Sequence, residues 1–304
     1  MIKNFQNLVE IAKKQDVMSL VVAAAEDSEV LKAVVEAGRQ GIVRPILVGA
    51  GDLIRKIASE NDLDISGFEI IESDSLEKSA EISVRMVNEG KADFLMKGLL
   101  DTSILLKAVL NKEYGLRTDS QLSHVMIYDV PNYHKLIYMT DGGMNIAPDY
   151  REKKKILSNA ISAAKALGNE EVKVACLAAK EKVNEKMLAT IDGDKLAKDS
   201  QNGDFGSNVI VEGPLALDLA ISKEAAKMKG FDSEVSGEVD ILMVPTIEVG
   251  NALGKSLTYF AGAKSAGVIM GASSPVVLVS RADDFESKLY SIAFGSVIAA
   301  NIEK

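Results

Sequence analysis

The chain has 304 residues, 47% of them apolar and 26% charged, which excludes a disordered or low-complexity protein and leaves room for two cores of roughly 150 residues each. A formal charge of −9, one cysteine and two histidines exclude an internal disulfide, leave little for a Cys- or His-based metal site, and speak against a nucleic-acid backbone as partner. The 5% aromatic content without tryptophan points the same way, because single-strand binders need stacking platforms.

The opening MIKNFQNLVEIAKKQ has the apolar spacing of an amphipathic helix, not a basic segment followed by an apolar run, so no export signal is expected and the cytoplasm is the expected location. No apolar run approaches the ~20 residues of a membrane span, and no membrane partner is expected. SLVVAAA, PILVG, FEIIES and DFLMKG then read as buried strands. Each is followed by a segment of helical period: SEVLKAVVEAGRQG, DLIRKIASEN, SLEKSAEISVRMVNEG and TSILLKAVLNKEYG. Such alternation predicts an α/β fold of parallel sheets covered on both faces. Between 123 and 148 the rhythm breaks, since HVMIYDV and KLIYMTD are separated only by PNYH, which predicts a hairpin-like excursion.

A second series follows: VKVACLAA, the helix NEKMLATIDGDKLAKD, NVIVEG, the helix LALDLAISKEAAKMKG, DILMVPT, the helix GNALGKSLTYFAG, AGVIMGA, VVLVS and an apolar terminal helix from Asp284. That last helix must bury its face, and its expected place is back on the first domain. The expectation is therefore a discontinuous first domain of residues 1–131 plus 273–304 and a second of 132–272. The default ligand site of such a pair is the cleft between them, beyond the carboxyl ends of the strands.

The segments leaving those strand ends share one chemistry. They are Lys97-Gly98 before Asp101, Thr140-Asp141-Gly142-Gly143-Met144-Asn145, Glu212-Gly213-Pro214, Gly250-Asn251 with Gly254-Lys255, and Ser280-Arg281-Ala282-Asp283. Glycines let backbone N–H groups approach a ligand, helix starts add positive partial charge, and a Lys or Arg supplies the counter-charge of a polyanion. A single loop of this kind is an ordinary strand-to-helix turn; five together point to a polyanion site. Neither GxxxxGK[ST] nor GxGxxG occurs, so P-loop and standard dinucleotide sites lack their parts. Cys176 lies in an interior strand pattern and reads as core, not nucleophile. His124 and His134 read as turn or crossover residues, and the eleven Met residues as core filler.

RPILVG, TDGGMNIAPD, VEGPLALDLAI and, most specifically, the stretch from Pro245 to Asp283 resemble the phosphate acetyl/butyryltransferase family, over essentially the whole chain. Met96-Lys97-Gly98 and the Leu99–Leu106 segment look like the butyryl branch. The resemblance implies a two-domain fold like that of isocitrate and isopropylmalate dehydrogenases. It also implies acyl-CoA and phosphate as substrates, no permanently bound cofactor, no metal, and a homo-oligomer of at least two chains. It places the pair matching Ser280 and Arg281 at the reaction centre, with Arg281 orienting phosphate and Ser280 serving the oxyanion or the thiol. The acetyl branch carries an aspartate seven residues after that serine. Here the position is Ser287, with Asp283, Asp284 and Glu286 nearby; Asp283 is the candidate base, and Asp283 or Asp284 the candidate cap of the last helix. Lys97, Thr140, Asp141, Gly142, Asn145, Gly213, Pro214, Gly250, Asn251 and Lys255 are the candidate substrate-binding residues. Competing readings are a phosphate acetyltransferase, an NAD-dependent decarboxylating dehydrogenase of the same fold, and a non-catalytic CoA-binding protein.

Overall fold

A computed structural model describes residues 2–279 and 283–302. In chain order its elements are α1 Phe5–Lys14, β1 Met18–Ala23, α2 Ser28–Arg39, β2 Val43–Gly49, α3 Gly51–Glu60, β3 Glu69–Glu72, α4 Leu76–Asn88, β4 Phe94–Lys97 and α5 Thr102–Val109. There follow β5 Ser123–Asp129, β6 Ile137–Thr140, α6 Tyr150–Ala166, β7 Val172–Leu177, α7 Leu188–Gln201, β8 Val209–Leu215, α8 Leu217–Ile221 and α9 Lys223–Met228. The series closes with β9 Ile241–Met243, α10 Ile247–Tyr259, β10 Lys264–Met270, β11 Val276–Val277 and α11 Phe285–Asn301. The chain divides into two compact units, one of Phe5–Ser120 with Ala266–Lys304 and one of Gln121–Ser265 with Met1–Asn4.

In the first unit the strand order is β3-β2-β1-β4-β11-β10. All neighbours are parallel except β10 and β11. The strands between the edges are mainly apolar and largely buried, as a sheet covered on both faces requires; β1 buries every residue from Ser19 to Ala23. Helix α1 buries Phe5, Leu8, Val9 and Ala12, the i, i+3, i+4, i+7 stripe visible in its sequence. Asp27 caps α2 by accepting from Val30 N at 2.8 Å, and Ser75 caps α4. Helix α11 packs on α1 and α2 of this unit and buries a face running from Lys288 to Ala299.

The turn after β4 is fixed against the turn after β1. Gly98 N and Leu99 N donate to the carbonyls of Ala23 and Ala24, at 2.8 and 2.6 Å. A Cβ on residue 98 would lie 2.0 Å from the Ala24 oxygen, so only glycine fits. The pairing of Val276 with Leu95 and Val277 with Met96 makes β4 and β11 end side by side. Lys97 and the segment leading to Asp283 thus leave from adjacent strand ends.

In the second unit the order is β5-β6-β9-β7-β8. Strands β5 and β6 form the antiparallel excursion expected around Pro131, and the remaining neighbours are parallel. Tyr128, Ile137, Met139, Leu177, Leu215, Leu219 and Leu242 are among the residues of its core. Two ion pairs are buried there. Lys135 Nζ lies 2.7 Å from Asp240, and Lys153 Nζ 2.7 Å from Asp192. Of the short basic run Arg151–Lys155, Lys153 is thus buried in an ion pair and half-buried Lys154 pairs with Asp199 and Asp204, while Arg151 and Lys155 are exposed.

Three elements differ from the sequence expectation. The helix expected from Thr102 towards Gly115 stops at Val109, because the Asn111 side chain accepts from Glu113 N and Tyr114 N and turns the chain. The single helix expected over 215–230 is two short ones broken at Ser222, whose hydroxyl caps the second by accepting from Ala225 N. Gly213 and Pro214, expected in a loop, lie within β8.

Candidate active site

In the second unit the loop after β6 is organised by one carboxylate. Asp141 is buried and accepts from His124 N at 3.0 Å, Gly143 N at 2.8 Å, Met144 N at 2.9 Å and Asn145 Nδ2 at 2.6 Å. Asn145 Nδ2 also donates to the Leu122 carbonyl, while its Oδ1 accepts from Gln121. Thr140, fully buried, donates its hydroxyl to the His124 carbonyl at 3.0 Å. The backbone N–H groups of 143 and 144 thus already hold an anion, the loop's own aspartate. What the loop turns outward is the exposed Gly143 and Ile146, with Met144 half-buried between them.

This loop is pressed onto the start of α10. A Cβ on Gly142 would meet the Gly250 carbonyl carbon at 2.8 Å, and one on Gly250 would meet Gly142 Cα at 2.6 Å. Asn251 Nδ2 points to the Gly142 carbonyl at 3.5 Å. The structure therefore brings Thr140, Asp141, Gly142 and Asn145 together with Gly250 and Asn251. Lys255 is more than two turns into α10, on its exposed side, with Nζ 6.0 Å from the Tyr259 ring centre.

Gly213 and Pro214 form a different cluster. A Cβ on Gly213 would sit 2.7 Å from Cys176 Cβ and 3.0 Å from the Gly193 carbonyl oxygen, so strand β8 and helix α7 meet here at backbone distance. Beside them Lys153, Asp192, Cys176 and Pro245 line a cavity of about 10 Å³, room for about one water. Cys176 is buried, and burial pushes its thiol up to about 12, above the ordinary range. It stays protonated at neutral pH. Alkylation of native Cys176 by iodoacetamide is expected to run at least about 100-fold slower than in unfolded protein, and Cys176→Ala is expected to retain its activity. Fast labelling with concomitant inactivation would overturn this.

In the first unit Lys97 is buried at the end of β4, its Nζ donating to the carbonyls of Gly98 at 3.2 Å and Leu100 at 2.9 Å. It clasps its own turn. Ser280 and Arg281 lie outside the described residues. Beyond them, Asp284 is the cap of α11, accepting from Ser287 N at 2.8 Å, so the cap does not fall on Asp283. Asp283 accepts through its carbonyl from Lys288 Nζ.

Lys288 was not among the residues singled out in the sequence. In the sequence it reads as an ordinary helical charge, and only the structure shows that it lies on the buried face of α11. His134 lies exposed in the β5–β6 turn, its Nε2 3.2 Å from Glu238.

A family model described as "Phosphate acetyl/butaryl transferase" matches residues 4–85 and 74–295. The chain is 42% identical over 301 residues to a phosphate butyryltransferase of Clostridium acetobutylicum, covering 99% of this chain and 100% of that one. It is 47% identical over 275 residues to a probable phosphate butyryltransferase of Bacillus subtilis, covering 90% and 91%. Among solved structures, a branched-chain phosphotransacylase from Enterococcus faecalis V583 superposes with a TM-score of 0.83 at 34% identity, over 94% of this chain and 100% of that one.

Proposed function

Because this chain belongs to the phosphate acetyl/butyryltransferase family, we propose that it is a phosphate butyryltransferase, an acyltransferase that moves a butyryl or branched short acyl group between coenzyme A and inorganic phosphate. The observation that carries this is the identity to a phosphate butyryltransferase along the full length of both chains. In the forward direction a phosphate oxygen attacks the thioester carbonyl carbon. The tetrahedral adduct carries its charge on the former carbonyl oxygen, collapse breaks the C–S bond, and the departing thiolate takes up the proton that the attacking hydrogen phosphate gives up. The products are acyl phosphate and CoA.

In this scheme Arg281 holds phosphate bidentately and Ser280 donates to the oxyanion or to the leaving sulfur. In the reverse direction a thiol with an ordinary value near ~8.5 needs only modest help to become the attacking thiolate, so Asp283 serves as the nearby base where the acetyl branch has its aspartate further on. That Asp284 takes the capping role supports this assignment. The Gly142–Gly250 contact and the Asn251 bond support a role for the loop at 140–145 as a rigid wall of the acyl-CoA site, built by Asp141 and Asn145 from within. Lys97 would likewise shape its turn, leaving half-exposed Leu99 beside it as an apolar surface for the acyl chain. The family supports a homo-oligomer of at least two chains, which light scattering on the purified protein checks.

The test is a panel of acyl-CoAs of increasing length and branching, with CoA release measured at varied phosphate. Butyryl-CoA and branched four- and five-carbon thioesters are expected to exceed acetyl-CoA in kcat/KM by about 10-fold or more, since two methylenes in an apolar pocket are worth about 1–3 kcal/mol or somewhat above. A maximum at acetyl-CoA would move the chain to the acetyltransferase reading. CoA binding with no phosphate-dependent thiol release would remove transferase activity altogether.

A further inference from the structure

Helix α10 turns its smallest residues inward and its bulky ones outward. Of its 13 residues only Gly250 and Gly254 are buried. Both bring the helix to backbone distance from its own unit: a Cβ on Gly254 would stand 2.3 Å from Tyr128 Oη and 3.1 Å from Met139 Cε. Half-buried Leu253 and Leu257 complete that contact. At about 3.6 residues per turn, Glu248, Val249, Ala252, Lys255, Ser256 and Tyr259 share the opposite face. All of them are exposed.

Val249 is 42% exposed, Tyr259 73%, and Phe260, at the end of the helix, 92%, the highest of any large apolar side chain among the described residues. At the other end Ile146, whose carbonyl accepts from Ile247 N, is 69% exposed. One exposed apolar side chain needs no explanation. A row of them along one helix, with the inner face given over to glycine, marks an interaction surface.

The two charges on this face identify its occupant. Glu248 and Lys255 lie equally far from the middle of the helix, between Asn251 and Ala252, and on the same flank of the Ala252–Tyr259 line. A two-fold axis at that point, perpendicular to α10, runs a second copy antiparallel to the first and sets Glu248 of each chain against the partner's Lys255. A parallel pair would oppose like charges. Ala252 and Ser256 are small enough for the helices to approach closely. Tyr259 and Phe260 then reach past the start of the partner's α10, where the partner's Ile146 offers apolar surface.

We propose that the outer face of α10 is the surface through which two copies of this chain associate, antiparallel, about a two-fold axis through Asn251–Ala252. The proposal rests on the chain being a homo-oligomer, as proposed above, and names the surface that makes it one. Such a pair braces the loop at 140–145 from outside, through Ile146 and the contact of Gly142 with Gly250.

The experiment is sedimentation velocity on the full-length protein over about 0.1–100 μM, a range in which mass action reveals a change in dimer affinity. Wild type is compared with Glu248→Lys, Lys255→Glu, an equimolar mixture of those two variants, and Phe260→Ser. The three residues are exposed, so each variant is expected to keep the wild-type circular dichroism. Each substitution acts twice in a two-fold dimer. E248K and K255E each turn both attractions into repulsions and are expected to weaken self-association at least 10-fold, as is F260S through lost apolar contact. The mixture is the decisive sample, because in a pair of one E248K and one K255E chain every facing pair is again opposite in sign. It is expected to regain wild-type association to within about three-fold. A wild-type monomer over the whole range overturns both the proposal and the homo-oligomer reading, and leaves the face to a different partner. An assembly that E248K, K255E and F260S all leave unchanged overturns the surface alone. Weakening by the single variants with no recovery in the mixture overturns the antiparallel pairing and the proposal with it.

Discussion

Replacing Arg281 by alanine is expected to lower kcat/KM for phosphate by about 10²–10⁴-fold while KM for butyryl-CoA changes less than about three-fold. Two parallel N–H···O bonds from a guanidinium to a phosphate oxygen pair are charge-assisted, each worth about 1.5–3 kcal/mol, and every 1.36 kcal/mol is a factor of ten in rate. The loss falls on phosphate because the thioester has no anionic group at the reacting carbon for the guanidinium to hold. Arg281→Lys is expected to recover little, since an ammonium on a flexible stem cannot reproduce the fork geometry. The reverse reaction, acyl phosphate plus CoA, must suffer equally, because both directions share one transition state. Initial-rate kinetics in both directions check this, and a fall of less than about five-fold would take Arg281 out of the reaction centre.

The α/β alternation was legible because buried parallel strands and amphipathic helices leave periods that survive in a single sequence. Lys97 at a strand end and the hairpin around Pro131 could both be placed that way. Two of the three misjudged elements share one cause, the short polar side chain that competes with backbone pairing. Asn111 ends α5 and Ser222 splits α8 from α9 through bonds that depend on local angles, not on apolar spacing. Gly213 and Pro214 looked like a loop from composition, yet the glycine is there so that β8 can approach Cys176 and α7. The buried pairs Lys135–Asp240 and Lys153–Asp192 join residues 105 and 39 positions apart, and only the tertiary fold makes such partners neighbours. For the same reason a lysine such as Lys288, read along the chain, looks like any solvated helical charge until the helix's buried face is known.

Asp141→Ala is expected to destabilise the protein by about 3–5 kcal/mol, an unfolding midpoint lower by about 10 °C for a chain of this size. The carboxylate serves three backbone N–H groups and one side-chain amide. Its removal strands buried donors that cost about 1–3 kcal/mol each, with water recovering part of the sum. Asp141→Asn separates two roles that the sequence alone could not. An asparagine of the same shape keeps one carbonyl oxygen but turns an NH₂ toward donors, so an organising role predicts a variant of intermediate stability. Its KM for butyryl-CoA rises only as far as the loop against Gly250 is loosened. A direct substrate contact predicts the opposite pattern, a wild-type midpoint with activity lost. The geometry favours the first outcome. All the donors that a substrate phosphate could use at residues 143 and 144 are taken by Asp141 itself, so at this loop a ligand can meet only the outward backbone and the side chains of Met144 and Ile146. An Asp141→Asn protein that unfolds like wild type yet no longer binds acyl-CoA would show that the carboxylate faces the ligand after all.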